Sequence, residues 1–290
     1  MTSQTLCSVV EHLSHTAPVS FHTQLTLNNS VFPEPTQDAF HRHRRPTRIG
    51  ADCYCWHGYV THDRSADSGS NTQEACRLPG SIDTAAKFWD TLRDKRSVRT
   101  PKVPSNRFNI DAHYHPDNAR PGSYSSLGGY FLDGNPVDFD PTFFNMTPVE
   151  AQWLDPQQRK MLEVCFEVFE NAGLRLEDLA GSKTGVYAAS FTSDYQQMSI
   201  FERDFRHNYA ATGVDPGIIS NRINNVFDLH GPSCLINTAC SSALYAIHNA
   251  CHALRSRDCD GAVAAGSNLI MMVDQQMNTA KLGVLSPTSE

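Results

Sequence analysis

The chain has no apolar run approaching the roughly 20 residues needed to cross a bilayer. Its first residues, MTSQTLCSVVEHLSHTAPV, lack a basic stretch followed by a solid apolar one. Neither a membrane span nor a secretory signal is supported. Basic charge is also scarce: Lys plus Arg is 24 against 31 Asp plus Glu, a formal net charge of -7. A polyanion binder carries a basic excess, so nucleic acid is not expected as the main partner. There is no excess of glycine or proline (17 and 16 residues), which excludes a collagen-like or low-complexity chain. No internal repeat is visible. Nor is there a disulfide framework. The nine cysteines are odd in number and scattered through apolar segments, as expected of reduced, buried thiols in a cytoplasmic protein. What remains is a chain with 40% apolar and 19% charged residues, able to bury a sizeable core. Its 290 residues suffice for one large domain or two ordinary ones.

The character of the chain changes near residue 75. Residues 1–74 contain no lysine but seven of the 13 histidines. Pro33, Pro35 and Pro46 interrupt them, and no sustained period runs through them, so this leader is read as irregular. From Glu74 onward, capped helices and apolar strands alternate. Thr84–Asp94 carries Ala85, Phe88, Trp89 and Leu92 as an apolar stripe at helical spacing. Residues 99–149, rich in Pro, Gly, Asp and aromatics, predict an extended surface segment with short ordered pieces. Asp155-Pro156-Gln157-Gln158 is a strong helix start: Asp155 caps, Pro156 suits the first helical position, and Gln158 can reach back to complete a capping box. Met161, Leu162, Cys165, Phe166, Val168 and Phe169 then form a wide apolar face, and Gly173 ends it.

Thr184–Ala189 reads as a buried strand, Pro216–Phe227 as a helix buried through Ile218, Ile219, Ile223 and Val226, and Cys234–Ile236 as another strand. A helix follows from about Cys240 to Arg257, then a strand at Ala262–Ala265. The alternation predicts an α/β architecture.

The segment that carries chemistry is Phe227–Leu244. A strand ends, a turn of small residues follows, and a helix begins at a cysteine. Ala243, Leu244, Ala246, Ile247, Ala250, Cys251 and Leu254 give that helix apolar residues nearly all round, the mark of a buried helix. Cys240 stands at its amino end, where unpaired N–H groups and the macrodipole favour negative charge. Such a position stabilises a thiolate nucleophile. Ala239, Ser241 and Ser242 leave room for a substrate, and the Cys240 backbone N–H suits a developing oxyanion. A second reading stays open on these residues alone: Cys240 as one more buried structural thiol.

Asn237-Thr-Ala-Cys-Ser-Ser-Ala resembles the nucleophile motif of the β-ketoacyl synthase domain of polyketide synthases. Five further segments resemble the same domain in the same order: Ala75–Gly80, Gly128–Leu132, Phe139–Phe144, Leu154–Arg159 and Leu282–Pro287. The wording around Phe143–Thr147 and Gly217–Arg222 is most similar to the fungal, highly reducing class. The resemblance divides the chain into an irregular leader, 1–74, and the amino-terminal half of a ketosynthase domain, 75–290. It implies a thiolase-like fold of layered αβαβα type, truncated to its first half. A thiolase-like degradative enzyme is a weaker reading, disfavoured by Leu154–Arg159 and Gly128–Leu132.

In that family the cysteine takes an acyl chain from the phosphopantetheine thiol of an acyl carrier protein. The thioester is then attacked by a carbanion made by decarboxylating malonyl carrier protein, a Claisen condensation. The resemblance therefore implies an acyltransferase with Cys240 as nucleophile, no directly bound cofactor or metal, a carrier protein as partner, and a homodimer when intact. Asn237 stands where many relatives have Asp, and a structural effect on the turn is expected. The family's two catalytic histidines lie beyond the Leu-Ser-Pro segment, so these 290 residues alone are expected to be inactive in condensation. His248 and His252 sit roughly 12 and 18 Å along the helix from Cys240. The polar Ser68–Glu74 replaces an apolar strand of relatives and is not expected to serve as a core strand. The chain is therefore expected to be a fragment, from a misread or broken reading frame. The competing reading is a remnant or interaction module without catalysis.

Other signals explain themselves more simply. Cys53, Cys55, His57 and His62 are too tightly spaced for the usual zinc pattern. His248 and His252 share a helical face without a third ligand. Gly181–Gly185 lacks the spacing of a phosphate loop and suits a turn into the next strand. His41–Arg45 reads as a solvated charge run, and Met271 and Met272 as core.

Overall fold

A computed structural model describes residues 59–62, 71–202, 207–283 and 285. Its centre is a five-stranded sheet of order β2-β1-β5-β3-β4. Strands β3 (Thr184–Ser190), β4 (Ser233–Ile236) and β5 (Gly261–Ser267) are parallel. β1 (Tyr59–His62) runs antiparallel beside β5, and β2 (Asn71–Glu74) antiparallel beside β1.

Two of these strands correct the sequence reading. Residues 59–62 and 71–74 lie in the segment read as irregular, and the polar Asn71–Glu74 does form a strand. It does so at the sheet's outer edge, where pairing with β1 supplies the order that its own side chains do not. The remainder of the leader, including His41–Arg45, Cys53, Cys55 and His57, lies outside the described residues, as does the His62 side chain.

The two central strands are buried along their full length, and their alternation divides the core. Val186, Ala188, Val263 and Ala265 face one layer, with α3 (Pro156–Asn171) and α7 (Ile218–Val226). Tyr187, Ala189, Ala262 and Ala264 face the other, against α8 (Ser242–Ser256). Helices on both faces of a mixed sheet whose β5, β3 and β4 are parallel are the α/β architecture that the alternation predicted. Along α3, Met161, Leu162, Val164, Cys165, Val168 and Phe169 are fully buried, and Phe169 and Phe144 meet Phe227 edge to face. Gly173 ends the helix at φ 66°, the left-handed conformation expected of a stop.

Residues 99–149 hold only short ordered pieces: a 3-10 turn at Ile110–Ala112 and a helix, α2 (Pro148–Gln152). They nonetheless build a small second core. Val103, Ile110, Tyr124 and Phe131 pack against Val273 and Ala280 near α9 (Asp274–Lys281). Gly128 is required there. A Cβ would stand 2.1 Å from the Thr100 carbonyl oxygen, across the bridge that ties Thr100 to Gly129.

Several expectations fail locally. Helix α1 (Ala85–Arg93) forms with Thr84 as its cap, but Trp89 and Leu92 are exposed, so its apolar stripe is not buried against the described residues. Asp155 caps α3 as expected, accepting from the Gln157 N–H at 2.8 Å. Gln158 does not complete a capping box. Its amide donates instead to the Gly213 carbonyl at 3.0 Å. The six described cysteines are free, yet only Cys165 and Cys259 are buried, and Cys234 and Cys240 are exposed. No helix among the described residues is long and apolar enough to cross a membrane.

Candidate active site

Because β3, β4 and β5 are parallel, their carboxyl ends share one edge of the sheet, the edge at which α/β proteins gather functional groups. The chain leaves β4 there at Asn237 and turns through a 3-10 turn, Ala239–Ser241, directly into α8. Cys240 stands in that turn. The sequence placed it at the strand-to-helix corner, and the structure agrees, with the α-helix proper beginning two residues later at Ser242.

Side chains stitch the corner together. Asn237 Oδ1 accepts from the Ala239 N–H at 3.2 Å, so Asn237 shapes the turn, as expected of it. Ser242 Oγ accepts from the Thr238 N–H at 2.8 Å and donates to the Ala239 carbonyl at 2.7 Å. Ser241 Oγ donates to the Thr238 carbonyl at 2.8 Å. These bonds hold Ala239 at φ 54°, a left-handed conformation that costs a non-glycine residue of order 1 kcal/mol or more. The strained residue immediately precedes the cysteine.

Two consequences bear on chemistry. Ser241 spends its hydroxyl on Thr238 rather than on the helix, and α8 has no side-chain N-cap bond. The Ser242 N–H donates to the Ala239 carbonyl, and no side chain caps the N–H groups after it, so the amino end of α8 still favours negative charge beside Cys240. Cys240 is also exposed, as are Thr238 and Ala239, so the sulfur is open to approach from outside. The expectation of a wholly buried helix is corrected. Only Ser242, Ala246, Ala250 and Ala253 are buried, on the face toward the sheet, while Leu244 and Tyr245 are each 51% exposed. The buried side is alanine-lined because helix and strand approach closely; a Cβ on Gly266 would lie 3.6 Å from that of Ala243.

The structure does not bring a histidine to the sulfur along α8. His248 and His252 are exposed on the helix, and His230 pairs with Asp228 at 2.9 Å before β4. Among the described residues no cluster of His, Cys, Asp or Glu is arranged to hold a metal ion. Gly181, at φ 72°, makes a turn into β3, and Lys183 contacts the Arg257 carbonyl rather than a phosphate cradle. Met271 is buried as core, and Met272 is partly so.

The Leu154–Arg159 segment serves the same edge from beneath. Asp155, Gln157, Gln158 and Arg159 are all buried. Gln157 ties the ends of two strands together: its amide donates to the Thr192 carbonyl after β3, and its Oε1 accepts from Ser267 Oγ at 3.2 Å and from the Leu269 N–H after β5. Arg159 donates to the carbonyls of Leu154, Val137 and Gln152. Asp194, which the sequence reading missed, accepts from the Met271 and Met272 N–H groups at 2.9 and 3.0 Å. Burial pushes the Asp155 carboxyl up to about 7 despite the Gln157 N–H that favours its charged form, and neighbouring Asp194 adds to the rise.

These residues carry a recognisable relationship. The family "Beta-ketoacyl synthase, N-terminal domain" matches residues 74–290. The chain is 62% identical over 214 residues to the reducing polyketide synthase DEP5 of Fusarium langsethiae, covering 74% of this chain and 9% of that protein. It is 54% identical over 219 residues to the highly reducing polyketide synthase rstn3 of Aspergillus nomiae, again over 74% of this chain and 9% of the relative. Among solved structures it resembles the oxazolomycin ketosynthase domain OzmH KS7 of Streptomyces albus, with a TM-score of 0.68 and 34% identity. That likeness covers 79% of this chain and 39% of the solved one. A ketosynthase from module 6 of the bacillaene synthase of Bacillus subtilis gives a TM-score of 0.65 at 29% identity, over 79% and 36%. The chain thus spans about a tenth of its curated relatives and under half of the solved ketosynthases, whose thiolase-like fold it shares. With a corner cysteine on that fold and a family match over most of its length, the chain belongs to the β-ketoacyl synthase family of polyketide synthases, as an amino-terminal ketosynthase segment.

Proposed function

We propose that Cys240 is the acyl-accepting nucleophile of a polyketide ketosynthase. The observation that carries this reading is the strained corner, which presents an exposed thiol at the uncapped amino end of a 15-residue helix. The thiolate adds to the thioester carbonyl of an acyl chain carried on phosphopantetheine. The C–S bond to pantetheine then breaks and the pantetheine sulfur leaves, taking up the proton that Cys240 gave up. The Cys240 N–H and first-turn N–H groups of α8 suit the oxygen on which charge develops. An acyl carrier protein is the partner that brings this arm, and the cytoplasm is the compartment that keeps the thiol reduced.

Decarboxylation of a malonyl thioester and formation of the carbon–carbon bond require the family's two histidines, which resemblance places after the Leu-Ser-Pro segment. The step assigned to these 290 residues is therefore acyl transfer, and condensation belongs to the complete domain in a homodimer. The exposed apolar side of α8, with Leu244 and Tyr245 outward, supports assembly with further protein there.

Incubation of the purified chain with an acyl-pantetheine thioester, followed by peptide mass mapping, tests this reading. The acyl mass is expected on the Cys240 peptide and absent in Cys240→Ala. Acylation spread equally over the exposed cysteines, Cys234 included, overturns it.

A further inference from the structure

A cleft at the carboxyl end of β5 has an unbalanced charge. It is lined by Arg77, Leu78 and Pro79, by Arg107, by Tyr130–Leu132, and by Asn268–Ile270, which directly follow β5. Both arginines are partly buried, but their circumstances differ. Arg77 is neutralised by an ion pair with Glu167 and also donates to the Cys76 carbonyl. Arg107 faces no carboxylate at ion-pair distance among the described residues. Among the described residues it donates to Asn106 Oδ1 at 3.3 Å and to the Leu132 carbonyl at 3.5 Å, both long. A guanidinium has five N–H donors, so three have no acceptor among the described residues. Burial also lowers the Arg107 pKa, with no acidic neighbour to oppose it. A partly buried cation with unspent donors beside an apolar cleft favours an anion.

The rest of the lining says which anion. Leu78, Pro79, Phe131, Leu132, Leu269 and Ile270 are apolar. One uncompensated positive charge matches a single negative one, and the planar fork of arginine matches the two oxygens of a carboxylate. We propose that this cleft binds a short-chain monocarboxylate, its head on Arg107 and its alkyl stem against Leu78, Pro79, Leu269 and Ile270. The proposal does not depend on Cys240 being a nucleophile.

Titration of the full 290-residue chain with sodium butyrate at fixed ionic strength, followed by the Arg107 Nε–Hε signal in ¹H–¹⁵N NMR spectra, tests it. Saturable binding is expected, strengthening roughly four-fold per methylene from acetate to butyrate. Butyramide, which lacks the charge, is expected not to bind. Arg107→Gln is expected to weaken butyrate about ten-fold or more. Non-saturable shifts, affinity independent of alkyl length, equal binding of butyramide, or inorganic phosphate binding as tightly as butyrate each overturn the proposal. Unchanged affinity in a folded Arg107→Gln chain does so as well. The chain-length and butyramide arms use the unmodified protein, so they decide even where the variant fails to fold.

Discussion

Ser242 Oγ accepts a hydrogen bond from the Thr238 N–H at 2.8 Å, and so the first residue of α8 closes the turn on which Cys240 stands. The same hydroxyl donates back to Ala239, the residue held at φ 54°. Placement of the sulfur thus depends on a serine two residues beyond it, which belongs to the helix rather than to the turn.

Ser242→Ala removes both bonds. Thr238 is exposed, so water can replace one of them, and the cost in stability is expected near the lower end for a lost hydrogen bond, about 1 kcal/mol. The larger effect is expected in reactivity. With the turn released, the preference of iodoacetamide for Cys240 over exposed Cys234 should fall, as read by mass mapping after brief labelling. A variant of parental stability that keeps the parental preference removes Ser242 from the account of the corner.

The alanine face of α8 predicts a second outcome. Ala246 and Ala250 are 1% and 5% exposed and pack onto Tyr187, Ala189 and the alanines of β5. Ala246→Leu forces three extra carbons into that contact. Overpacking of this kind costs about 1–3 kcal/mol. Leu244→Ala, on the exposed side of the same helix, should change stability by less than about 0.5 kcal/mol. Urea unfolding of the two variants side by side checks the difference. Equal losses would mean that the outer face is covered in solution.

How far the sequence foretold these features depended on the range of the interaction involved. The apolar periods of α3 and α7 and the runs of β3 and β5 were legible, because each element's own residues carry the pattern. The corner was legible because small residues and a cysteine sit between a strand and a helix. Three things were not. Apolar residues around α8 read as full burial, yet composition does not say whether a partner covers the outer face, and Leu244 and Tyr245 are exposed. β2 is polar and exists through its pairing with β1. Gln158 fitted a local capping rule, but its partner is the Gly213 carbonyl, 55 residues away. No local pattern announces a bond of that span.

Gly213 makes that distant contact possible. A Cβ there would lie 2.2 Å from the Trp153 carbonyl oxygen, a backbone atom that cannot swing aside. The same glycine's carbonyl receives both the Asp155 N–H at 2.8 Å and the Gln158 amide. Gly213→Ala should therefore separate the loop from the start of α3 and cost about 3 kcal/mol or more, among the larger effects of single substitutions. Gly134→Ala is a useful control: it has open space around it, and its loss reflects only its φ of 77°. A smaller loss at Gly213 than at Gly134 would contradict the close approach.

Asp155 gives the chain a pH dependence of unusual sign. Most paired carboxylates have a lowered pKa when folded and strengthen the fold as pH rises. Asp155 is 1% exposed, and its folded pKa, about 7, stands above the ordinary 3.8. Between those values the folded chain holds a proton that the unfolded chain has released. Its contribution is fully present below pH 4 and lost as pH rises through 7. The groups that act on it are Asp194, which raises the value further, and Arg159, which opposes it. Asp194 is itself raised by burial, so the two carboxylates act in the same direction. Asp155→Asn keeps an oxygen to accept from the Gln157 N–H but cannot titrate. The difference in unfolding free energy between Asp155→Asn and the parent should therefore move in favour of the variant from pH 4 to pH 8. Denaturant curves at each pH measure it. A difference that stays flat, or moves toward the parent, would mean that Asp155 is ionised throughout, held charged by the amino end of α3 rather than neutralised by its burial.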